Sequence, residues 1–185
     1  VTVREETVVD LVAASRTVDD AVGWVGHGTL AGAHPFVVRE AAGRRRRFRH
    51  RGLLLDLLAD GDLGSESALE HRYHRDVERR HGLPRGRQQV RQKVGGLWTR
   101  ADCLYEGVGL RVELDGAFAH PGGRTDRDVW RDNAALVERG EMTLRYRWAH
   151  VAVTPCRTAA QVVAALRTLG WTGTPRSCGA GCEAR

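Results

Sequence analysis

The chain has 185 residues, enough for one full hydrophobic core with at most a small second unit beside it. Its 42% hydrophobic and 28% charged residues exclude a disordered, collagen-like or membrane-embedded chain. The formal net charge of +6, from 29 basic against 23 acidic residues, suits a polyanionic partner. Nearly all the basic residues are Arg, which favours bidentate phosphate contacts but also follows from a high-GC genome, so only the positive balance carries weight.

The longest apolar run, Leu53 to Leu58, is interrupted at Asp56, and no run approaches the length of a membrane span. With no secretory leader in the sequence, a cytoplasmic protein with no membrane partner is expected. The sequence starts at Val1 rather than Met, from which an incomplete N-terminal domain is expected.

Val8, Val9, Leu11 and Val12 fall at helical spacing, which predicts a helix from Glu5 to Ala14. Thr17 with Asp20 has the pattern of a capped helix start, and that second helix is expected to run to about Gly26. A third is expected from Pro35 through the basic run to Leu58, ended by Gly61 and Gly64. The texture then changes. A helix from Ser67 to about His81 stops at Gly82-Leu83-Pro84, and extended segments follow near 88–94, 98–105 and 109–115.

Beyond a Gly-rich loop at 121–123, a helix is expected from Asp126 to Arg139, with Trp130, Ala134 and Val137 on one face and Gly140 ending it. Met142, Leu144, Tyr146 and Trp148 alternate as in a half-buried strand, and Ala159 to Leu169 reads as a closing helix. Trp98, Trp148 and Tyr146 are expected in the core rather than as stacking platforms. Three parts follow: a helical region at 1–60, an α/β (α+β) domain at 61–170 and a flexible tail at 171–185. The cysteines at 103, 156, 178 and 182 lack the paired short spacings of a zinc site and read as free thiols.

The chemistry concentrates in the second and third extended segments. Leu110, Val112 and Leu114 are apolar, so period-two geometry puts Arg111, Glu113 and Asp115 together on the other face. Glu106-Gly107-Val108-Gly109 suits a hairpin turn, and a turn centred between Gly107 and Val108 sets Asp102 opposite Glu113. Like charges at opposed positions destabilise a sheet unless something neutralises them. A divalent cation does so, since Mg²⁺ binds through one or two carboxylates and keeps several waters. The alternatives are two solvated surface carboxylates, or a register one residue off that sends them to different faces.

These residues resemble the PD-(D/E)xK nuclease superfamily, in particular the small bacterial domains related to very-short-patch-repair endonucleases. The resemblance covers about 65–170 and rests on an ordered set: Ser67-Ala68-Leu69-Glu70, Gly82-Leu83-Pro84, Arg100-Ala101-Asp102, Val112-Glu113-Leu114-Asp115-Gly116 with His120, Asp126 to Asp132, Gly140, and Arg145 with Trp148. It implies a restriction-endonuclease-like core with a mixed central sheet flanked by helices. The helical first part is similar to the middle region of proteins that carry this domain behind a winged helix like that of abortive-infection antitoxins.

By this resemblance Asp102 and Glu113 hold Mg²⁺ (or Mn²⁺), Glu70 reaches toward the metal-bound water, and DNA is the substrate. Ser67 and Glu70 also fit a capping box, so a helix cap and a site role stay open for Glu70. The third signature position, usually Lys, is Asp115, which would serve as a further ligand or base. His120 reads either as an exposed loop residue or as an acid or base. Among the charges around Asp126 to Asp132, Arg127 and Arg131 are candidates to hold a phosphate, as is Arg145. Arg44, Arg45, Arg46 and Arg47, with Arg49 and Arg51, form the densest positive run, read either as a DNA-backbone contact or as a solvated connector. The function expected is a metal-dependent DNA endonuclease, and the alternative is a non-catalytic DNA-binding or antitoxin-type regulatory protein.

Overall fold

The structure is a computed structural model that describes residues 3–58, 65–115 and 126–185. His120, the Gly-rich loop at 121–123, Gly61 and Gly64 lie outside the described residues. The chain is α+β, and the described residues fall into two compact units divided between Ala68 and Leu69.

The first unit is helical: α1 (Arg4–Ala14), α2 (Val18–Leu30), α3 (Pro35–Arg44) and α4 (Arg51–Leu57). Its core is drawn from one face of each helix and includes Val8, Val9, Val12, Val22, Val38 and Leu54. A Cβ at Gly28 would lie 2.3 Å from a methyl of Val8, so α1 and α2 approach as closely as they do only because that position has no side chain. Thr17 Oγ1 accepts the amide of Asp20 at 3.0 Å, which is the expected cap of α2.

The single long helix expected from Pro35 to Leu58 is not formed. It ends at Arg44, Arg45 is extended, and α4 restarts after His50, whose φ of 64° is left-handed. Long-range pairing overrides helix propensity here: Arg44 bonds Glu6 at 2.8 Å, while Arg45 bonds Glu6 at 2.7 Å and Asp10 at 2.6 Å on α1. The four arginines therefore do not wrap a helix.

Helix α5 (Ser65–Arg72) runs through the division between the two units and continues into a π-helical stretch, Tyr73–Arg79. Strands β1 (Arg87–Val94), β2 (Leu97–Tyr105) and β3 (Leu110–Leu114) form an antiparallel meander, and β4 (Met142–Tyr146) adds parallel to β3. The crossover between β3 and β4 carries α6 (Asp126–Arg139), as a parallel neighbour requires. Helices α7 (Trp148–Ala152) and α8 (Pro155–Thr168) complete the unit.

Both faces of β3 are covered, so all five of its residues are buried. On one face Arg111 and Glu113 lie under α6, whose Arg131 reaches Glu113. On the other, Tyr105 bonds Tyr73 and Cys103 meets Glu78, both partners belonging to the π-helical stretch.

Three further expectations fail. Trp148 opens α7 instead of ending a strand, because β4 stops at Tyr146. Trp98 is 67% exposed on β2 with the guanidinium of Arg91 over its ring, so it is not a core residue. The face of α6 with Trp130 and Val137 is turned outward, since the burial of this helix is made by Asp128 and Ala135.

Candidate functional site

The turn at residues 106–109 needs left-handed backbone at two places, and glycine supplies it at Gly107 (φ 81°) and Gly109 (φ 72°). The register that results pairs Tyr105 with Leu110, Leu104 with Arg111 and Cys103 with Val112. One step further along the same register, Asp102 stands opposite Glu113, as the hairpin argument expects. The regular ladder stops there, and Asp102 Oδ2 instead accepts the main-chain amide of Leu114 at 2.7 Å.

Glu113 is 5% exposed, which removes the reading of this pair as solvated surface carboxylates. Burial, then the neighbouring charge of Asp102, pushes its carboxyl up to about 7, against the opposing pull of Arg131, Arg111 and Arg145. Arg111 Nη1 donates to Glu113 at 3.1 Å, and Arg131 Nη2 lies 3.9 Å from its other oxygen. Arg111 is itself buried and also bonds Gln92 and, at 3.2 Å, Glu141.

Glu70 joins the pair through an intermediary. The Gln89 side-chain amide donates to Glu70 and, at 3.4 Å, to Asp102, bringing the α5 carboxylate to the strand carboxylate. Gln89 holds a left-handed φ of 54° inside β1, a conformation rare for a non-glycine residue, and its buried Oε1 has no partner. The capping-box reading of Glu70 is corrected by the helix start: α5 begins at Ser65, so Ser67 lies inside the helix.

Asp115 is committed elsewhere. Its Oδ1 takes Arg145 Nη1 at 3.0 Å, and the same guanidinium grips Asp132 through Nε at 3.0 Å and Nη2 at 2.8 Å. Burial works against the charge of Arg145, but the bond to Asp132 and the charges of Asp115, Asp132 and Glu113 outweigh it and raise its pKa. Arg131 faces Asp128 at 3.2 Å, whereas Arg127 is exposed. Two of the three arginines expected to meet phosphate thus make ion pairs within the protein.

The carboxylates of Glu70, Asp102 and Glu113 do not draw into one tight cluster of three ligand atoms. The group that does so among the described residues was read from the sequence as unrelated: His81, Cys156, Cys178 and Cys182, with ligand atoms all within 4.8 Å of one another. The signal available was slight, a Cys178-x-x-x-Cys182 spacing and a His at a helix end, because the other ligand stands far off in the chain. Comparison with known proteins adds no neighbour: no protein-family model, curated protein or solved structure matches the chain.

Proposed function

We propose that the second unit is a divalent-metal-dependent DNA endonuclease of the PD-(D/E)xK type, hydrolysing a phosphodiester at the Asp102 and Glu113 pair. The observation that carries this reading is a buried Glu113 held beside Asp102 with its carboxyl raised to about 7. Two carboxylates so placed repel each other when both are ionised, and a hard cation removes the penalty. The donor set fits Mg²⁺ or Mn²⁺, since two carboxylates supply hard oxygens and the rest of the coordination shell is left to water and a phosphate.

Asp102 and Glu113 would hold the ion, which would supply Lewis-acid stabilisation of the phosphodiester. The chain's own groups do the rest. The Leu114 amide fixes the Asp102 carboxylate, Gln89 orients Glu70 toward it, and Arg131 and Arg111 keep Glu113 from being wholly uncompensated. A raised carboxyl at Glu113 also means that loading would release a proton near neutral pH.

The test is nicking of supercoiled plasmid in Mg²⁺ or Mn²⁺, comparing the wild type with Glu113→Ala. Cleavage by the wild type that the substitution abolishes is expected. Cleavage that survives the substitution, or is never seen, overturns the reading.

One observation favours a second reading, a DNA-binding or antitoxin-type regulatory protein without turnover. Asp115, at the position where the resemblance expects Lys, is neutralised by Arg145, and Glu113 already has Arg111 and Arg131 beside it. On that reading DNA binds equally well with and without divalent metal, and no strand is cut.

A further inference from the structure

We propose that His81, Cys156, Cys178 and Cys182 form a structural Zn²⁺ site that fastens the C-terminal segment to the helix end at His81 and to the start of α8. The site lies apart from the carboxylate pair and shares no residue with it.

The geometry begins with His81. It is fully buried, and its Nδ1 lies 3.0 Å from the carbonyl oxygen of Val77, an atom that can only accept. Nδ1 therefore carries the proton, and Nε2 presents a lone pair. That Nε2 is buried and has no hydrogen-bond partner. An imidazole whose far nitrogen is pinned by a backbone carbonyl is the usual support of a metal-bound histidine. An unsatisfied buried nitrogen, by contrast, costs about 1–3 kcal/mol when nothing meets it.

Three sulfurs meet it. Cys156 stands in the first turn of α8, directly after Pro155, and Cys178 and Cys182 lie on either side of a turn in the final segment. The turn is closed by the Cys182 amide bonding Gly179 O at 3.1 Å and by Ser177 Oγ on the same carbonyl at 2.9 Å. The four ligand atoms lie within 4.8 Å of one another. With bonds of roughly 2.3 Å to sulfur and 2.0 Å to nitrogen, a tetrahedral zinc needs ligand separations of roughly 3.5–3.8 Å, which lies between the 3.3 Å of the Cys156 and Cys178 sulfurs and the 4.8 Å limit of the group.

A disulfide accounts for less. Cys156 and Cys178 sulfurs stand 3.3 Å apart, beyond the roughly 2.05 Å of an S–S bond, and bonding them would leave Cys182 and the His81 nitrogen unused. Three thiolates and one imidazole select zinc over hard cations, and four protein ligands leave no open position, so the role is structural. Binding one Zn²⁺ through three thiolates would release the proton of each thiol that is neutral beforehand.

The scaffold is built to bring these ligands together. The segment from 171 on, expected to be flexible, has no helix or strand, yet Cys182 and Ala184 are buried. Arg176 moors it: its amide bonds His81 O at 2.6 Å and its Nη2 bonds Arg79 O at 2.7 Å, capping the final carbonyls of the helix. Gly82 supplies the left-handed φ of 64° that ends the helix beside Arg176.

Metal content of the full chain, purified without chelator, tests this. About one Zn²⁺ per chain is expected, lost in both Cys182→Ser and His81→Asn and retained in Glu113→Gln. Apo protein titrated with Co²⁺ is expected to develop the visible bands of a tetrahedral thiolate complex, a readout on the wild type that does not depend on a variant folding. Protein unfolded anaerobically without reductant should show all four of its cysteines as free thiols. Absence of both stoichiometric zinc and the Co²⁺ spectrum, zinc that survives both substitutions, or a count of two thiols would each overturn the site. Plasmid nicking does not enter these measurements, so failure of the nuclease reading and failure of the zinc site are separately visible.

Discussion

The Asp102 carboxylate accepts the amide of Leu114 at 2.7 Å, so the residue expected to hold a metal also ties the interior of β2 to the end of β3. These two roles separate by substitution. Asp102→Ala leaves the Leu114 amide without its acceptor and is expected to cost about 1–3 kcal/mol, read as a lowered denaturation midpoint. Asp102→Asn keeps an acceptor oxygen, so its stability should stay close to wild type while metal-dependent cleavage is lost. Equal destabilisation by the two would show that the charge, not the hydrogen bond, matters for folding.

Glu113 predicts a pH dependence of stability. Its folded carboxyl titrates at about 7 against an ordinary value of 4.5, so between those values the folded state holds a proton that the unfolded state has lost. Its contribution is therefore fully present below pH 4.5 and disappears as pH rises through about 7. Glu113→Gln removes this term. The stability of the variant relative to wild type should rise across that window by on the order of 3 kcal/mol. Adding Mg²⁺ near neutral pH should return stability to the wild type and not to the variant. If urea midpoints of the two proteins run parallel from pH 4.5 to 7, Glu113 is not perturbed as described.

The hairpin that places Asp102 beside Glu113 was legible in the sequence because its determinants are local: alternation at 110, 112 and 114, and two glycines in one short turn. The same holds for Gly140, which ends α6 with its amide on Leu136 O at 2.9 Å. What escaped is set by partners distant in the chain. Glu6 and Asp10 break the basic helix at Arg45, Asp132 and Asp115 take Arg145, and the zinc ligands are gathered from the π-helix end, α8 and the final segment. Periodicity along one segment holds no record of such pairings. Trp130 and Val137 misled for a related reason, since an apolar pattern fixes a face but not which face meets the sheet.

The basic run divides in two. Arg44 and Arg45 pair with acids of α1, whereas Arg46 and Arg47 are exposed and have no hydrogen bond or ion pair to a described residue. Arg46→Ala with Arg47→Ala should leave stability within about 0.5 kcal/mol of wild type. If these two contact the DNA backbone, the slope of log affinity against log salt should fall by about two. An unchanged slope in fluorescence anisotropy would make the run a solvated connector.

Arg145 decides between a phosphate ligand and a structural clamp. Its guanidinium bonds Asp132 through two nitrogens and Asp115 through the third, and the Asp132 side chain is only 10% exposed. Removing the cation takes from a mostly buried carboxylate a two-bond partner that Arg131, at 4.0 Å, does not replace, so Arg145→Met should destabilise the unit by about 2 kcal/mol or more. Arg145→Lys should recover little, since an ammonium cannot reproduce three directed N–H bonds. The partner substitution Asp132→Asn, combined with Arg145→Met, should restore part of the loss, which a double-mutant cycle measures directly. DNA affinity of Arg145→Met, taken at a temperature where it remains folded, should stay within a few-fold of wild type with the same salt slope. A large affinity loss in a variant of undiminished stability would instead make Arg145 a phosphate contact, with its bonds to Asp132 and Asp115 given up on binding.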